Sequence, residues 1–429
     1  MKSKIKYFTT HPMILILVII LIFFTPLALF SPGENKERGI VIAVGIDKTT
    51  EYEVSLLTFI PTANQSYKEQ TSIISGKGQS LGEAIYNAQI AMGRRIGLAH
   101  AKTTVVSESM LEDDICKSID YISRIASLPE NTVFISTDKS AKELLQANDS
   151  LVSKTGLKLE QVINYNAENL YISDTSLEAF YKGYFGRTHS SIIGSLKLKE
   201  STSSQGGNSS GESGTQGGSE SSSGSSGSGA QASSSGSAKM EIENNGDAIL
   251  LKNGKMVAKL DVDMLNGMNI LNPRSKHQII NIEDIDKDDQ LVNMGYRVAD
   301  KKVIINTKFE NGYPLFVAEL ILSVDLVEIE GVKEGLKVNT EFSNVTNEVA
   351  TKIEHKVKQQ FTKSLNLIRE CKADVMGIND TFYRNNRKEY EKYIRDNGGV
   401  DEFLNNVIFK LNILVQPDWY NLVKFYYPS

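Results

Sequence analysis

An α+β fold class is what this chain of 429 residues predicts: three successive domains, each a mixed or antiparallel sheet with packed helices, behind one N-terminal transmembrane helix. Three observations carry that prediction. Residues 13–30, MILILVIILIFFTPLALF, are almost unbroken apolar sequence. From residue 39 onward, short Val/Ile-rich segments alternate with segments of helical period, and 201–238 is nearly all Ser and Gly. About 18 residues at ~1.5 Å rise span roughly 27 Å, close to the hydrocarbon thickness of a bilayer. Met13 and Phe30 therefore bound a membrane anchor, with 1–12 a cytoplasmic N-terminus. Lys2, Lys4 and Lys6 hold that end inside, which puts the bulk of the chain on the outer face. A cleaved secretory signal shares the basic start and the apolar stretch but needs small residues before its cut, and Leu27-Ala28-Leu29-Phe30-Ser31 holds no A-x-A pattern. Pro26 lies near the far end of the run, where the backbone is leaving the hydrocarbon and a kink costs least.

The first domain, 38–150, opens with GIVIAVGID, a mostly buried strand, and a polar turn at 47–50 into YEVSLLTFI, giving a hairpin. A strand follows at 71–75. Ser80 and Glu83 then form a capping box, and Leu81, Ala84, Ile85, Ala88, Met92 and Ile96 mark one apolar stripe of a helix. AKTTVVSE reads as a strand. A second helix carries Met110, Leu111, Ile115, Ile119, Ile122 and Ile125 on one face, followed by the strand TVFIST at 132–137 and a short helix at 140–147. This order describes a mixed sheet with helices packed on it.

The second domain, 151–275, has helical segments around 159–162 and 176–185 and a strand HSSIIGSLKLK. The Ser/Gly stretch 201–238 cannot bury enough apolar surface to offset its ordering entropy and predicts a flexible coil. It reads as an insertion within one sheet rather than a domain linker. The hairpin beyond it, GDAILLKNGKMVAKL with an Asn253-Gly254 turn, needs a partner strand, and 192–199 is the nearest unpaired one. The third domain, 276–429, has strands at IINIEDI, YRVADKKVIINTKF and LFVAELILSVDLVEI, then a long helix at 344–369. Val345, Val349, Ile353, Val357, Phe361, Leu365 and Ile368 form that helix's buried seam. A charged, Tyr-rich helix at 380–396 and a last strand VIFKLNILV follow. The tail, with Trp419, Tyr420, Phe425, Tyr426 and Tyr427, packs back on the domain or rests at a membrane interface.

Composition narrows the function. A net charge of -5 without a Lys/Arg block outside the first residues gives nucleic-acid binding little electrostatic support. Cys116 and Cys371, with no CxxC or His partner nearby, are expected as two unlinked thiols, a disulfide between them being the alternative. His100 has nothing at catalytic spacing around it, and a structural role is expected. Arg94 and Arg95 are expected in the last turn of their helix, complementing its dipole. Gly76-Lys77-Gly78 hints at an anion site but lacks the full dinucleotide or P-loop pattern. Asp284, Asp286, Asp288 and Asp289 lack the Gly and terminal Glu of a calcium loop and read as a solvated acidic turn. No catalytic residue, cofactor site or metal site is predicted.

Several blocks resemble the Ger(x)C family, the C subunits of spore germinant receptors. GIVIAVGIDKTTEYEVSLLTFIP is similar to the family's first hairpin, and SGKGQSLGEAIYNAQIAMGRRIGLAHAKTTVVSES to its helix, Arg-rich end and His-containing strand. GDAILLKNGKMVAKLDVDMLNGMNIL resembles the middle hairpin, and ADVMGINDTFYRNNRKEYEKY the C-terminal turn and basic, aromatic helix. The blocks stand in family order over nearly all of 38–415. The resemblance implies a non-enzymatic subunit, acting with two integral-membrane partner subunits, A-type and B-type, in the inner spore membrane, where small nutrients trigger germination. Two departures stand out. The family normally carries a lipid-bearing Cys just after the signal sequence, and 29–33 contains none, so that the apolar helix must replace the lipid. The tail from 416 also extends past the expected end of the last strand. An envelope solute-binding module and a cell-wall hydrolase are the alternative readings.

Overall fold

The computed structural model describes residues 38–60, 70–147, 175–200, 240–243, 245–273, 275, 278–285, 291–330 and 345–417. The anchor between Met13 and Phe30, the helical segment at 159–162, the Ser/Gly stretch, Asp286, Asp288 and Asp289, and the aromatic tail lie outside these residues.

The fold is α+β, with mixed sheets and packed helices, as the segment order predicts. Strands β1 (Arg38–Lys48), β2 (Tyr52–Ile60), β3 (Gln70–Gly78), β4 (Arg95–Gly97), β5 (Thr103–Ser107), β6 (Val133–Thr137), β7 (Ser190–Glu200), β8 (Met240–Glu243), β9 (Ala248–Lys252) and β10 (Lys255–Leu260) build one ten-stranded sheet. Its order is β10-β9-β7-β6-β5-β1-β2-β3, with β4 added on β1 and β8 on β7. The centre, β7-β6-β5-β1, is parallel and the flanks are antiparallel. Val41, Val44 and Ile46 of β1 enter the core beneath one set of helices, while Ala43 enters the core on the opposite face. Burial on both faces is why GIVIAVGID hardly alternates.

Pairing of Ile135–Thr137 with Gly194–Leu196 crosses the domain boundary expected near residue 150. The three expected units are thus carried on two sheets, the second unit's strands extending the first unit's sheet. β7 also pairs with β9, Ser190 opposite Lys252 through Gly194 opposite Ala248, and with β8. The strands flanking the Ser/Gly stretch are therefore neighbours, the arrangement expected of an insertion within one sheet.

Helix α1 (Leu81–Met92) is capped by Ser80, whose hydroxyl accepts from the Glu83 N–H at 3.2 Å. The Glu83 carboxylate reaches one residue further back than a capping box, to the Gln79 N–H at 2.8 Å. At the other end Gly93, at φ 66°, closes the helix with bonds to the Gln89 and Ile90 carbonyls. This corrects two expectations. Arg94 and Arg95 lie beyond the helix rather than in its last turn, and Ile96 belongs to β4 rather than to the apolar stripe. The expected helix from Met110 is likewise divided. A 3₁₀ turn (Glu108–Glu112) holds Met110 and Leu111, and α2 (Ile115–Ala126) starts only after Asp114, whose extended backbone lets its carboxylate accept from the Cys116 N–H. Helix α3, at 141–147, covers the opposite face of the sheet with Ala141, Leu144 and Leu145. Its start is held by Asp47, which accepts from the Ala141 N–H at 2.7 Å, the Lys142 N–H and the Ser140 hydroxyl. Asp47, expected in the polar turn, thus belongs to the end of β1 and serves as a helix cap. Helix α4 (Leu177–Tyr184), capped by Ser176, returns to the first face.

The second sheet is β11 (Ile279–Ile285), β12 (Leu291–Glu310), β13 (Tyr313–Glu330) and β14 (Ile408–Pro417), in that order, antiparallel except for β14, which runs parallel to β13. Asn311 and Gly312, at φ 52° and 83°, make the tight turn between the two long strands. Helix α6 (Asn347–Glu370) begins at its Thr346 cap and buries Val349, Ile353, Val357, Phe361, Leu365 and Ile368, the seam expected from the spacing. Val345 precedes the helix and packs beside it. Each such side chain gains about 1.5–3 kcal/mol by leaving water. Four helices depart from the reading of the sequence. Helix α5 (Val262–Asn269), unforeseen because Asn266 and Gly267 are poor helix formers, is capped by Asp261. The expected 380–396 helix breaks into α7 (Ile378–Asn385) and α8 (Arg387–Asp396), because Asn386 leaves helical geometry where its Oδ1 accepts from the Thr307 hydroxyl of β12. Finally, α9 (Val400–Asn406) precedes β14.

Candidate functional site

The two sheets meet at a seam, and its apolar part is set by β9. Ile249 and Leu251 face the core under α1, α2 and α4, while Ala248 and Leu250 face the core built on the second sheet. Four successive buried residues, AILL, give this strand no solvent face. Leu260 and Leu265 join the same second core, so hydrophobic packing is continuous from β9 through α5 to α6. Gly267 makes the helix crossing possible, since a Cβ there would lie 2.2 Å from the Gln360 carbonyl oxygen. Polar bonds fix the register across it: Ser364 Oγ to the Met264 carbonyl at 2.7 Å, Gln360 Nε2 to Asp263 at 2.9 Å and Lys363 to Asp261 at 2.7 Å.

A second set of contacts runs from the loop between α4 and β7. The Arg187 guanidinium lies 3.6 Å from the centroid of the Tyr383 ring and its Nε donates to Asp380 at 3.3 Å. Thr188 donates to the Asp374 carbonyl at 3.1 Å, and Lys252 reaches Asp401 at 2.6 Å and the Thr188 carbonyl at 2.7 Å. Behind them Asp374 is buried. Its carboxylate accepts from the N–H groups of Ile378 and Asn379, at 3.1 and 2.6 Å, and from Asn379 Nδ2, which holds the start of α7. Burial pushes its carboxyl above the usual range, and those three donors act in the opposite sense. Tyr390 completes the network by donating to Asn379 Oδ1 at 2.8 Å, and burial raises its phenol. A cleft of 330 Å³ opens beside Arg187, lined among others by Lys182, Ser190, Asn269, Asp374 and Asp380. Its charged groups already have protein partners: Lys182 with Glu178 at 2.6 Å, Arg187 with Asp380 and Asp374 with backbone N–H groups. The seam is suited to holding two halves in register.

Lys301 of β12 reaches into the same region, its ammonium donating to the Asn269 carbonyl at 2.9 Å and to Ser275 Oγ at 2.7 Å. Burial lowers its pKa from 10.5 to about 8. Because the folded value is the lower one, the unfolded chain binds more protons between pH 8 and 10.5, and the fold gains stability from this group as pH rises through that window. Relative to Lys301→Met, the native chain should gain about 3 kcal/mol between pH 7.5 and 10.5 in urea titrations. Parallel pH profiles for the two proteins would refute this.

The residues singled out in the sequence do not converge. His100 stands in an exposed turn, and Arg94 and Arg95 are exposed beyond α1. Gly76-Lys77-Gly78 belongs to β3, where a Cβ at Gly76 would lie 2.1 Å from the Ala88 nitrogen. Close strand–helix packing accounts for these glycines, and Lys77 faces Glu53 at 3.6 Å. Cys116 and Cys371 are free thiols. Among the described residues no group of three His, Cys, Asp or Glu is placed to hold a metal ion, and no helix is long and apolar enough to cross a membrane. The seam residues Arg187, Asp374, Asn379 and Tyr390 carried no motif of their own. The ADVMGIND block was the one signal pointing to them, through Gly377, whose φ of 71° permits the turn that Asp374 closes.

Fold and seam define a two-sheet α+β protein whose halves share a core and meet through a capped, aromatic joint. Residues 34–198 match the family described as spore germination protein N-terminal domain, and 245–416 the family described as spore germination B3/GerAC like, C-terminal. The chain belongs to the Ger(x)C family of spore germinant receptor C subunits, which gives it a role in spore germination as part of a receptor complex. It is 21% identical over 377 residues to spore germination protein KC of Bacillus subtilis (strain 168), covering 84% of each chain. A solved structure titled "Crystal Structure of the GerBC protein" aligns with 87% of this chain and 96% of its own at 13% identity and a TM-score of 0.46.

Proposed function

We propose that this chain is a membrane-anchored, non-enzymatic subunit of a germinant receptor, held in the inner spore membrane by residues 13–30. Its N-terminus is cytoplasmic, its folded part lies on the outer face, and it assembles with A-type and B-type integral-membrane subunits. The observation that carries the reading is an 18-residue apolar run, bounded by Met13 and Phe30, just ahead of a chain that belongs to this family. One spanning helix holds a protein more firmly than a single lipid chain, which makes good the missing lipid-bearing Cys. The mechanical part is assembly and transmission: the seam couples the sheet that follows the anchor to the sheet that ends the chain.

Leu17→Arg with Leu21→Arg tests the anchor. Each Arg near the helix centre costs about 2.5–3.5 kcal/mol of insertion free energy. The variant should pass into the supernatant on alkaline carbonate extraction of spore membranes, and nutrient-triggered germination should fall, with recovery when a lipid-bearing Cys is supplied after residue 30. Native chain in the supernatant, or full germination by the extracted variant, would overturn the reading. The cleft beside Arg187 favours a second reading, a solute-binding module. Saturable binding of a small nutrient by the full chain in detergent, lost in Arg187→Ala, would select it.

A further inference from the structure

We propose that the end of α1 and the adjoining β4 dock on the anionic outer leaflet of the bilayer that holds the anchor, through Tyr86, Ile90, Arg94 and Arg95. This rests on the anchor reading above. Tyr86 and Ile90 are each 61% exposed and sit one helical turn apart, on a helix whose buried side already carries Leu81, Ala84 and Ala88. Arg94 and Arg95 follow directly, are exposed, and form no ion pair among the described residues. Glu83, the acidic side chain of α1, is turned away at the other end, where it accepts from Gln79. Exposed aromatic and aliphatic side chains on α1, followed directly by two exposed arginines, match the composition that sits at headgroup level.

Chain connectivity selects the occupant. β1 begins at Arg38, which pairs with Arg95, and Gly39 packs on α1 so closely that a Cβ would meet Met92 Sδ at 2.2 Å. The end of α1 and β4 therefore lie beside the start of β1. Only residues 31–37 separate that point from Phe30, the end of the apolar run. Seven residues reach at most about 25 Å when fully extended. The anchor thus keeps this face within about 25 Å of its own membrane, at high effective concentration. The connector's Glu34, Lys36 and Glu37 carry a net charge of -1 that offsets part of the positive charge, so the apolar pair and the two arginines are required together.

Amide hydrogen exchange of the full chain in lipid nanodiscs tests this. In discs containing phosphatidylglycerol, peptides covering 81–97 should exchange more slowly than in discs of phosphatidylcholine alone or in detergent. The protection should fall roughly fivefold for each arginine neutralised in Arg94→Gln and Arg95→Gln, and disappear in Tyr86→Ser with Ile90→Ser. Unchanged exchange in β5 and β6 would show that these variants remain folded. A chain that enters the discs but shows no dependence on headgroup charge at 81–97 overturns the docked face and leaves the anchor standing. Protection seen only with the partner subunits also overturns it, and a chain that fails to enter the discs overturns both.

Discussion

Gly267→Val should destabilise the fold by about 3 kcal/mol, the upper range for forcing extra atoms into a packed core. The added Cβ would stand 2.2 Å from the Gln360 carbonyl oxygen, 2.3 Å from Ser364 Oγ and 2.5 Å from the Gln360 carbonyl carbon. Two of these are backbone atoms of a 24-residue helix, which cannot rotate aside, so α5 and α6 must separate. Separation stretches the Ser364–Met264, Gln360–Asp263 and Lys363–Asp261 bonds and opens the core that Leu265 shares with the second sheet. Urea unfolding of the full chain in detergent measures the loss. Gly312→Ala is the control: nothing lies within 4 Å of its Cβ position, so only the strain of a positive φ remains, about 1 kcal/mol. Equal effects from the two substitutions would mean that the crossing is not close packed.

Asp374→Ala should cost about 3 kcal/mol or more, because it leaves the Ile378 and Asn379 N–H groups and Asn379 Nδ2 buried without that acceptor. The loss propagates through geometry. Without its cap the start of α7 frays, and α7 carries both Asp380 and Tyr383, the two groups that hold Arg187. Asp374→Asn keeps one acceptor oxygen and avoids burying a charge, so it should lie between native and Ala. Hydrogen exchange should show α7 opening in the Ala variant before α6 does. An Ala variant as stable as the native chain would rule out the network as a structural joint.

Periodicity made some elements legible from residues alone. The seam of α6 was readable because six buried residues recur at intervals of four and three, and nothing interrupts them. Ser80 and Gly93 bracket α1; the cap is legible, whereas the apolar spacing runs on to Ile96 and hides the actual end at Gly93. The hairpin of β9 and β10 was readable from Asn253-Gly254, both of which adopt positive φ. The break at Asn386 was not, since it depends on Thr307, distant in sequence and adjacent only after β12 has folded. Arg187 is the clearest case of a residue invisible in one dimension: its partners Asp380 and Tyr383 lie about two hundred positions away.

The amino-acid sequence alone determined the α+β class, the main strands and the long α6 helix, the pairing of the β9–β10 hairpin with β7 across a Ser/Gly stretch, and the family resemblance. These rest on local patterns, turn chemistry and apolar spacing, which act over a few residues at a time. Tertiary structure alone decided that the strands of the first two units share one sheet, that β9 is buried between two cores, and that an aspartate, an arginine and two tyrosines make the joint between the halves. The reason is physical. Which edge a strand joins, and which buried polar groups meet, depends on long-range packing and on satisfying every enclosed donor, and neither leaves a period in the chain.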